Sequence, residues 1–149
     1  MLRKFFIIIF SVIVAAVALK FILQEKSQQV KIGDAVFSVE VAQTFEERIR
    51  GLSGRTGLKR GEGMLFIFEK PDLHSFWMKG MIFSLDLIWI KGDQVVGISE
   101  DLPPDSSASP KIYYPPTSVD KVLEINGGLV AKYGIRIGDT VELQAKQSK

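Results

Sequence analysis

Residues 5–19 form one apolar stretch broken only by Ser11, and Phe21, Ile22 and Leu23 carry it past Lys20. As a helix, residues 5–23 reach roughly 28 Å, close to the thickness of a bilayer's hydrocarbon core. No face of that helix is polar, which argues against a core helix that packs on one side. Arg3 and Lys4 precede the stretch, and positive charge there favours an N-terminus left in the cytoplasm with the remainder translocated. Lys20 sits near the far end, where its stem can reach the interface. Two fates stay open: an uncleaved anchor, or a secretory signal cut near the small residues Ala15, Ala16 and Ala18. Residues 1–26 therefore read as a membrane anchor or signal segment, with residues 5–23 meeting the membrane. Residues 27–149 read as a single β-rich domain outside the cytoplasm. It is held at the cell membrane by one span, or secreted or periplasmic if the segment is removed.

Charge is best counted on that domain alone. Of the 19 basic residues, Arg3, Lys4, Lys20 and Lys26 lie in the first 26, as does Glu25 of the 17 acidic ones. The domain keeps 15 basic and 16 acidic residues, so the whole chain's formal +2 belongs to the N-terminal segment. No nucleic-acid footprint follows from such a balance. The chain has no cysteine, which excludes disulfides, a thiolate nucleophile, Cys-ligated metals and a lipidated thiol. About 120 residues are enough for a core without such staples. With His74 the only histidine, a zinc site would need carboxylates for its other ligands. No metal and no cofactor are expected.

Residues 24–29 are polar and read as a tether. Residues 30–32, the turn Gly33-Asp34 and a strand from Ala35 then form a hairpin. Ala35, Phe37, Val39 and Val41 share one face of that strand, with Ser38 and Glu40 on the other. Thr44-Phe45-Glu46-Glu47 is a capping box for a short helix that Gly51 and Gly54 close. Residues 55–63 make a charged, glycine-rich loop. Residues 64–68 are apolar on both faces, as in a strand covered on two sides. Pro71 is expected to break the chain, and residues 75–78 to resume an extended path. Residues 85–90, 94–98, 119–125 and 140–143 supply further strands, with Lys91-Gly92-Asp93 turning between two of them. Residues 129–133 read as a helical turn ended by Gly134. Many short strands with one or two short helices predict a mainly β fold, a compact β-sandwich or closed barrel behind the hydrophobic helix. Residues 102–117 hold five of the six prolines and read as a lid, a binding loop or a mobile loop, or else as a stiff surface connection.

Three features bear on chemistry. In His74-Ser75-Phe76-Trp77-Met78-Lys79, an extended backbone puts Trp77 and Lys79 on one face and Phe76 and Met78 on the other. Trp77 for stacking and Lys79 for an anion would suit a ligand pocket; core packing by Trp77 beside a solvated Lys79 is the competing reading. Asp86 shares a strand face with Ile88 and Ile90 and needs a partner there. Lys79 is the candidate, in an ion pair that is either structural or functional. Asp86 with Glu100, Asp101 or Glu124 would give a carboxylate pair for hydrolysis. No serine lies in a nucleophile-elbow pattern, and nothing specific supports a Ser–His–Asp triad.

Several short blocks recur in a recognisable order. They are Phe45-Glu46-Glu47-Arg48, Gly51-Leu52, Gly54-Arg55, Gly63-Met64-Leu65-Phe66 and Phe76-Trp77-Met78-Lys79. Leu85-Asp86, Pro103-Pro104, Leu123-Glu124, Gly134-Ile135 and Gly138-Asp139 follow. Together they resemble the domain of unknown function 192 family over residues 39–143. The resemblance implies a compact all-β domain, often behind a signal or anchor, and it implies no reaction. Gly80 stands where many members have Asn, and Asp105 where many have Cys, so thiol chemistry is absent. The expected function is a non-catalytic envelope module binding a small polar or sugar-like ligand or a peptide. Its candidate site is Trp77, Lys79 and Asp86, roofed by the proline-rich loop with Tyr113 and Tyr114. A carboxylate-dependent envelope hydrolase and a structural or assembly domain are the alternatives.

Overall fold

A computed structural model describes residues 27–145 and, before them, Phe10 and Val14. The apolar stretch at residues 5–23 therefore lies almost wholly outside the described residues. Among those described, no helix is long and apolar enough to cross a membrane. The chain is mainly β. Seven strands make one sheet: β1 (Ser27–Ile32), β2 (Ala35–Ala42), β3 (Glu62–Asp72), β5 (Leu85–Lys91), β6 (Gln94–Leu102), β8 (Val119–Asn126) and β9 (Val141–Ala145). Their order is β6-β5-β8-β3-β2-β1-β9. A second, two-stranded sheet joins β4 (Phe76–Trp77) to β7 (Ile112–Tyr113). Two short helices, α1 (Phe45–Arg50) and α2 (Leu129–Tyr133), complete the elements within residues 27–145.

The large sheet curls until its outer strands touch. Gln94 on β6 bridges Thr140 just before β9. Around that bridge Val95 N–H donates to Asp139 O (3.0 Å), Gly138 N–H to Val95 O (2.8 Å) and Val141 N–H to Asp93 O (2.8 Å). All pairings are antiparallel except β2 with β3, which are parallel. A parallel pair needs a crossover, and residues 43–61, which include α1, supply it.

Alternation along the strands sorts side chains into two cores. The concave face collects Val30, Ile32, Phe37, Val39, Leu65, Ile88, Ile90, Leu123 and Ile125, closed by Val130 and Ile135. The convex face collects Met64, Phe66, Leu85, Leu87, Trp89 and Val122 beneath Leu52, Met78, Met81 and Leu102. This is why residues 64–68 of β3 read as apolar on both faces: that part of the strand is covered twice.

The capping box forms in full. Thr44 Oγ1 accepts from Glu47 N–H (3.2 Å), and Glu47 Oε2 accepts from Thr44 N–H (3.1 Å). Other expectations shift. Residues 27–29, expected as tether, belong to β1 and pair with β2 and β9, since a backbone ladder does not require apolar side chains. Pro71 does not end its strand; β3 runs on to Asp72 through a register irregularity, where proline's missing N–H is tolerated. The proline-rich stretch is tied down rather than free. It contains β7, Asp105 N–H donates to Met78 O (3.2 Å), and the Asp105 carboxylate accepts from Ser107 and Lys111 N–H (both 2.9 Å). A hydrogen bond from the Ser107 side chain, together with those backbone bonds, holds the Asp105 carboxyl below its usual pKa. Gly97 admits the loop's return, because a Cβ there would lie 2.6 Å from Pro116 Cδ.

Asp86 organises one end of the sheet. Between Leu85 and Leu87, β6 carries one residue more than β5, so Glu100 and Asp101 form a bulge opposite Asp86. Asp101 sits at φ 47°, a left-handed conformation that Asp tolerates better than most residues. The Asp86 carboxylate is fully buried and accepts from Asp101 N–H (2.7 Å), Gly128 N–H (3.1 Å) and Val130 N–H (2.8 Å). It therefore joins β5, the bulge in β6 and the start of α2. Asp86→Ala leaves buried N–H groups without acceptors and is expected to destabilise the fold by about 3–5 kcal/mol. Asp86→Asn should also destabilise, because its amide points a donor at donors. A urea titration showing a loss below about 1 kcal/mol for Asp86→Ala would remove the carboxylate from this role.

Candidate functional site

Beside the convex core lies a cleft of about 330 Å³. Helix α1 forms one wall with Phe45, Arg48, Ile49 and Arg50, and the following turn adds Gly51, Leu52 and Ser53. Residues 74–77 form the opposite wall, including Trp77, while Phe66, Met81 and Glu124 also line the space. The local sequence explains the shape. The capping box starts α1, and Gly51 at φ 48° ends it after six residues, turning the chain back onto Phe66. A helix this short cannot bury all its apolar side chains, so Phe45 and Ile49, one turn apart, stay exposed at the mouth.

The aromatic wall is ordered by ring contacts. His74 stacks on Phe68 at 3.5 Å, and Phe76 meets Phe66, Phe68 and Trp89 edge to face at 4.9, 6.4 and 5.6 Å. The perpendicular contacts of Phe76 are the geometry that aromatic quadrupoles favour, whereas His74 lies face to face on Phe68. Arg48 lies 5.2 Å from the Phe68 ring centre and donates to the carbonyls of Gln43 and Ile67, so its guanidinium is committed to holding α1. The histidine is used in the same way. Its Nε2 lies 3.0 Å from Lys70 O, and because a carbonyl only accepts, that nitrogen carries the proton. Arg50 makes no hydrogen bond or ion pair among the described residues and faces the cleft free.

Glu124 is the chemical anomaly of the cleft. Strand β8 places it on the convex face, opposite Met64 of β3 and Leu87 of β5. It is 6% exposed, and its Oε2 is buried without a hydrogen-bond partner. Burial pushes its pKa up to about 8, against an opposing pull from the Arg55 guanidinium. Arg55 is itself engaged: its fork grips the Glu40 carboxylate at 2.6 and 2.7 Å. That hydrogen-bonded pair depresses the Glu40 pKa. A smaller cavity of about 160 Å³, lined by Glu40, Glu47, Arg50, Arg55 and Met64, shares Arg50 and Gly51 with the cleft.

The five residues expected as a site do not converge. Trp77 lines the cleft and is 46% exposed, with its neighbours Phe76 and Met78 turned towards the core. Asp86 is buried among backbone N–H groups, and no ion pair joins it to Lys79 among the described residues. Lys79 is exposed at a bridge to Asp105. Tyr113 packs on the convex core beneath Lys111, and Tyr114 is exposed; neither lines the cleft. Phe45, Arg48, Phe68 and Glu124 are the additions. Glu124 carries the same sequence signal as Asp86, an acid flanked by apolar residues within a strand. Phe45 and Ile49 carry a weaker one, an apolar pair one turn apart on an otherwise charged helix. Among the described residues, no three His, Asp or Glu side chains are grouped to hold a metal ion.

A family model, DUF192 (Uncharacterized ACR), matches residues 28–143. A solved structure of a protein of unknown function from Novosphingobium aromaticivorans is 37% identical and has a TM-score of 0.69, covering 78% of this chain and 83% of its own. Another, from Sinorhizobium meliloti and described as a "putative transcription regulator", is 30% identical with a TM-score of 0.72, covering 78% of this chain and 92% of its own. No curated protein matches the chain significantly.

Glu124 makes stability depend on pH in a defined direction. Its carboxyl rises from 4.5 in the unfolded chain to about 8 in the fold. Between those values the folded state holds a proton that the unfolded chain has lost, so stability falls as pH rises through that window. Glu124→Gln should match the parent near pH 4 and exceed it by on the order of 1–4 kcal/mol near pH 8 to 9. Urea titrations across that range that keep the two proteins parallel would show that the carboxyl titrates normally.

Proposed function

The chain belongs to the DUF192 family, and on that fold we propose a non-catalytic binding module, held at or exported across the cell membrane, whose cleft takes a small polar or sugar-like ligand or a peptide side chain. The observation that carries this reading is the cleft itself, aromatic on its walls and holding at its floor an acid without a partner. Ligand sites commonly combine apolar walls with a few convergent polar groups, and about 330 Å³ falls at the small end of that class. Trp77 and Phe45 offer flat faces to a ring, and Arg50 offers a free guanidinium at the mouth. The remaining expected residues take supporting parts: Asp86 fixes the sheet end, and Tyr113 helps hold the β4–β7 pair beside Trp77.

The hydrolytic alternative has less behind it. Glu124 is the one carboxyl among the residues lining the cleft, and a glycosidase-type mechanism needs two. An assembly role draws on the exposed Phe45, Ile49 and Trp77 at the mouth, which a protein segment could cover.

The test is a screen of the full chain by tryptophan fluorescence against mono- and disaccharides and short peptides. Any hit should weaken about ten-fold or more in Trp77→Ala and in Phe45→Ala, as expected when a stacking ring is lost. Lys79→Ala, outside the cleft, should leave it unchanged. Hits indifferent to both aromatic substitutions would move the site elsewhere.

A further inference from the structure

The cleft contains one polar atom whose partner has to come from outside the described fold. Glu124 Oε2 is buried and unbonded, and its residue lines the cavity. Buried polar side chains are nearly always satisfied, so an orphan facing a ligand-sized space points to what fills it. The charges that face this group are known from every wall. Arg55 comes from the loop before β3, but its fork is taken by Glu40. Arg48 and Arg50 come from α1, and His74 from the segment after β3. No second acid lines the cleft.

Resting on the binding reading above, we infer that Glu124 is the hydrogen-bonding partner of an uncharged oxygen, a hydroxyl or carbonyl, on a ligand whose ring lies between Phe45 and Trp77. The cleft selects such a ligand over an amine of the same shape. Two arguments set that preference. An acid that keeps its proton near neutrality both donates and accepts, and one hydroxyl satisfies both functions. The guanidinium groups on the α1 wall oppose an ammonium, and binding one would also require the acid to ionise in a desolvated place. Burial holds the Glu124 pKa at about 8, so the hydroxyl site should persist at neutral pH and fade above it.

The experiment compares benzyl alcohol with benzylamine on the full chain. It reads the indole N–H signals of the two tryptophans by NMR. Trp89 donates to Ser99 Oγ inside the fold (3.0 Å), while Trp77 reports the cleft. Trp77→Phe assigns the two signals. Benzyl alcohol should shift the Trp77 signal and bind about ten-fold or more tightly than benzylamine at pH near 6.5. Its affinity should fall as pH passes about 8 to 9. Glu124→Gln, whose amide also donates and accepts, should keep alcohol binding within roughly three-fold and lose the pH dependence, while Glu124→Leu should lose about ten-fold. Benzylamine binding as tightly as the alcohol, or alcohol binding unaffected in Glu124→Leu, overturns the inference and leaves the cleft a ligand site. Failure of both probes to move Trp77 in any folded variant removes the binding reading as well.

Discussion

The end of the curled sheet at which β5, β6 and β8 meet depends on one carboxylate. Asp86 takes three backbone N–H groups from two places in the chain, Asp101 in the β6 bulge and Gly128 and Val130 at the start of α2. Each is a charge-assisted bond in a dry setting, where such bonds are strongest and their loss most costly. The left-handed backbone at Asp101 is held by one of them, so the bulge in β6 and the side chain opposite it are a single device. The nearby packing is equally tight. A Cβ on Gly127 would come within 2.3 Å of Ser84 Oγ and 2.7 Å of Asp101 Oδ1. Side chains from the turn before β5 and from the β6 bulge thus crowd against the backbone just after β8, in a space that only glycine leaves open.

Much of this was legible in the sequence, for reasons that can be named. The alternation in residues 35–41 and the capping box at Thr44 and Glu47 are local signals, and both appear as read. Strands apolar on both faces implied two coverings, and the two cores supply them. Hidden from the sequence was everything decided by backbone pairing at a distance. Residues 27–29 join a sheet because β2 and β9 lie beside them, and Pro71 survives in a strand because the ladder is already irregular there. The proline-rich stretch reads as a lid, a binding loop or a mobile loop, or else as a stiff surface connection; Asp105, β7 and Gly97 pin it across the convex core, as the last reading has it.

Asp86 and Glu124 show how far one signal goes. Both are acids flanked by apolar residues within β strands, and pattern alone cannot separate them. Alternation puts Asp86 on the concave side, where a bulge and a helix start bring donors to it. The same rule puts Glu124 on the convex side, opposite Met64 and Leu87, where no donor arrives. One acid became part of the scaffold and the other was left facing a cavity. Lys79, the cation expected beside Asp86, is exposed instead, just past β4 of the separate small sheet.

The seam between β6 and β9 has a temporal consequence. The first described strand, β1, lies between β2 and the last, β9, and the curl closes only where residues 138–141 reach β6. A chain made from its N-terminus cannot finish this sheet until β9 has been delivered. Pairings so distant along the chain are also the slow ones to form. Until then the outer sides of β1 and β6 stand open, as unpaired edges that invite other chains. A protein built this way is safest when a helper or a surface keeps the unfinished edges apart until its last strand arrives.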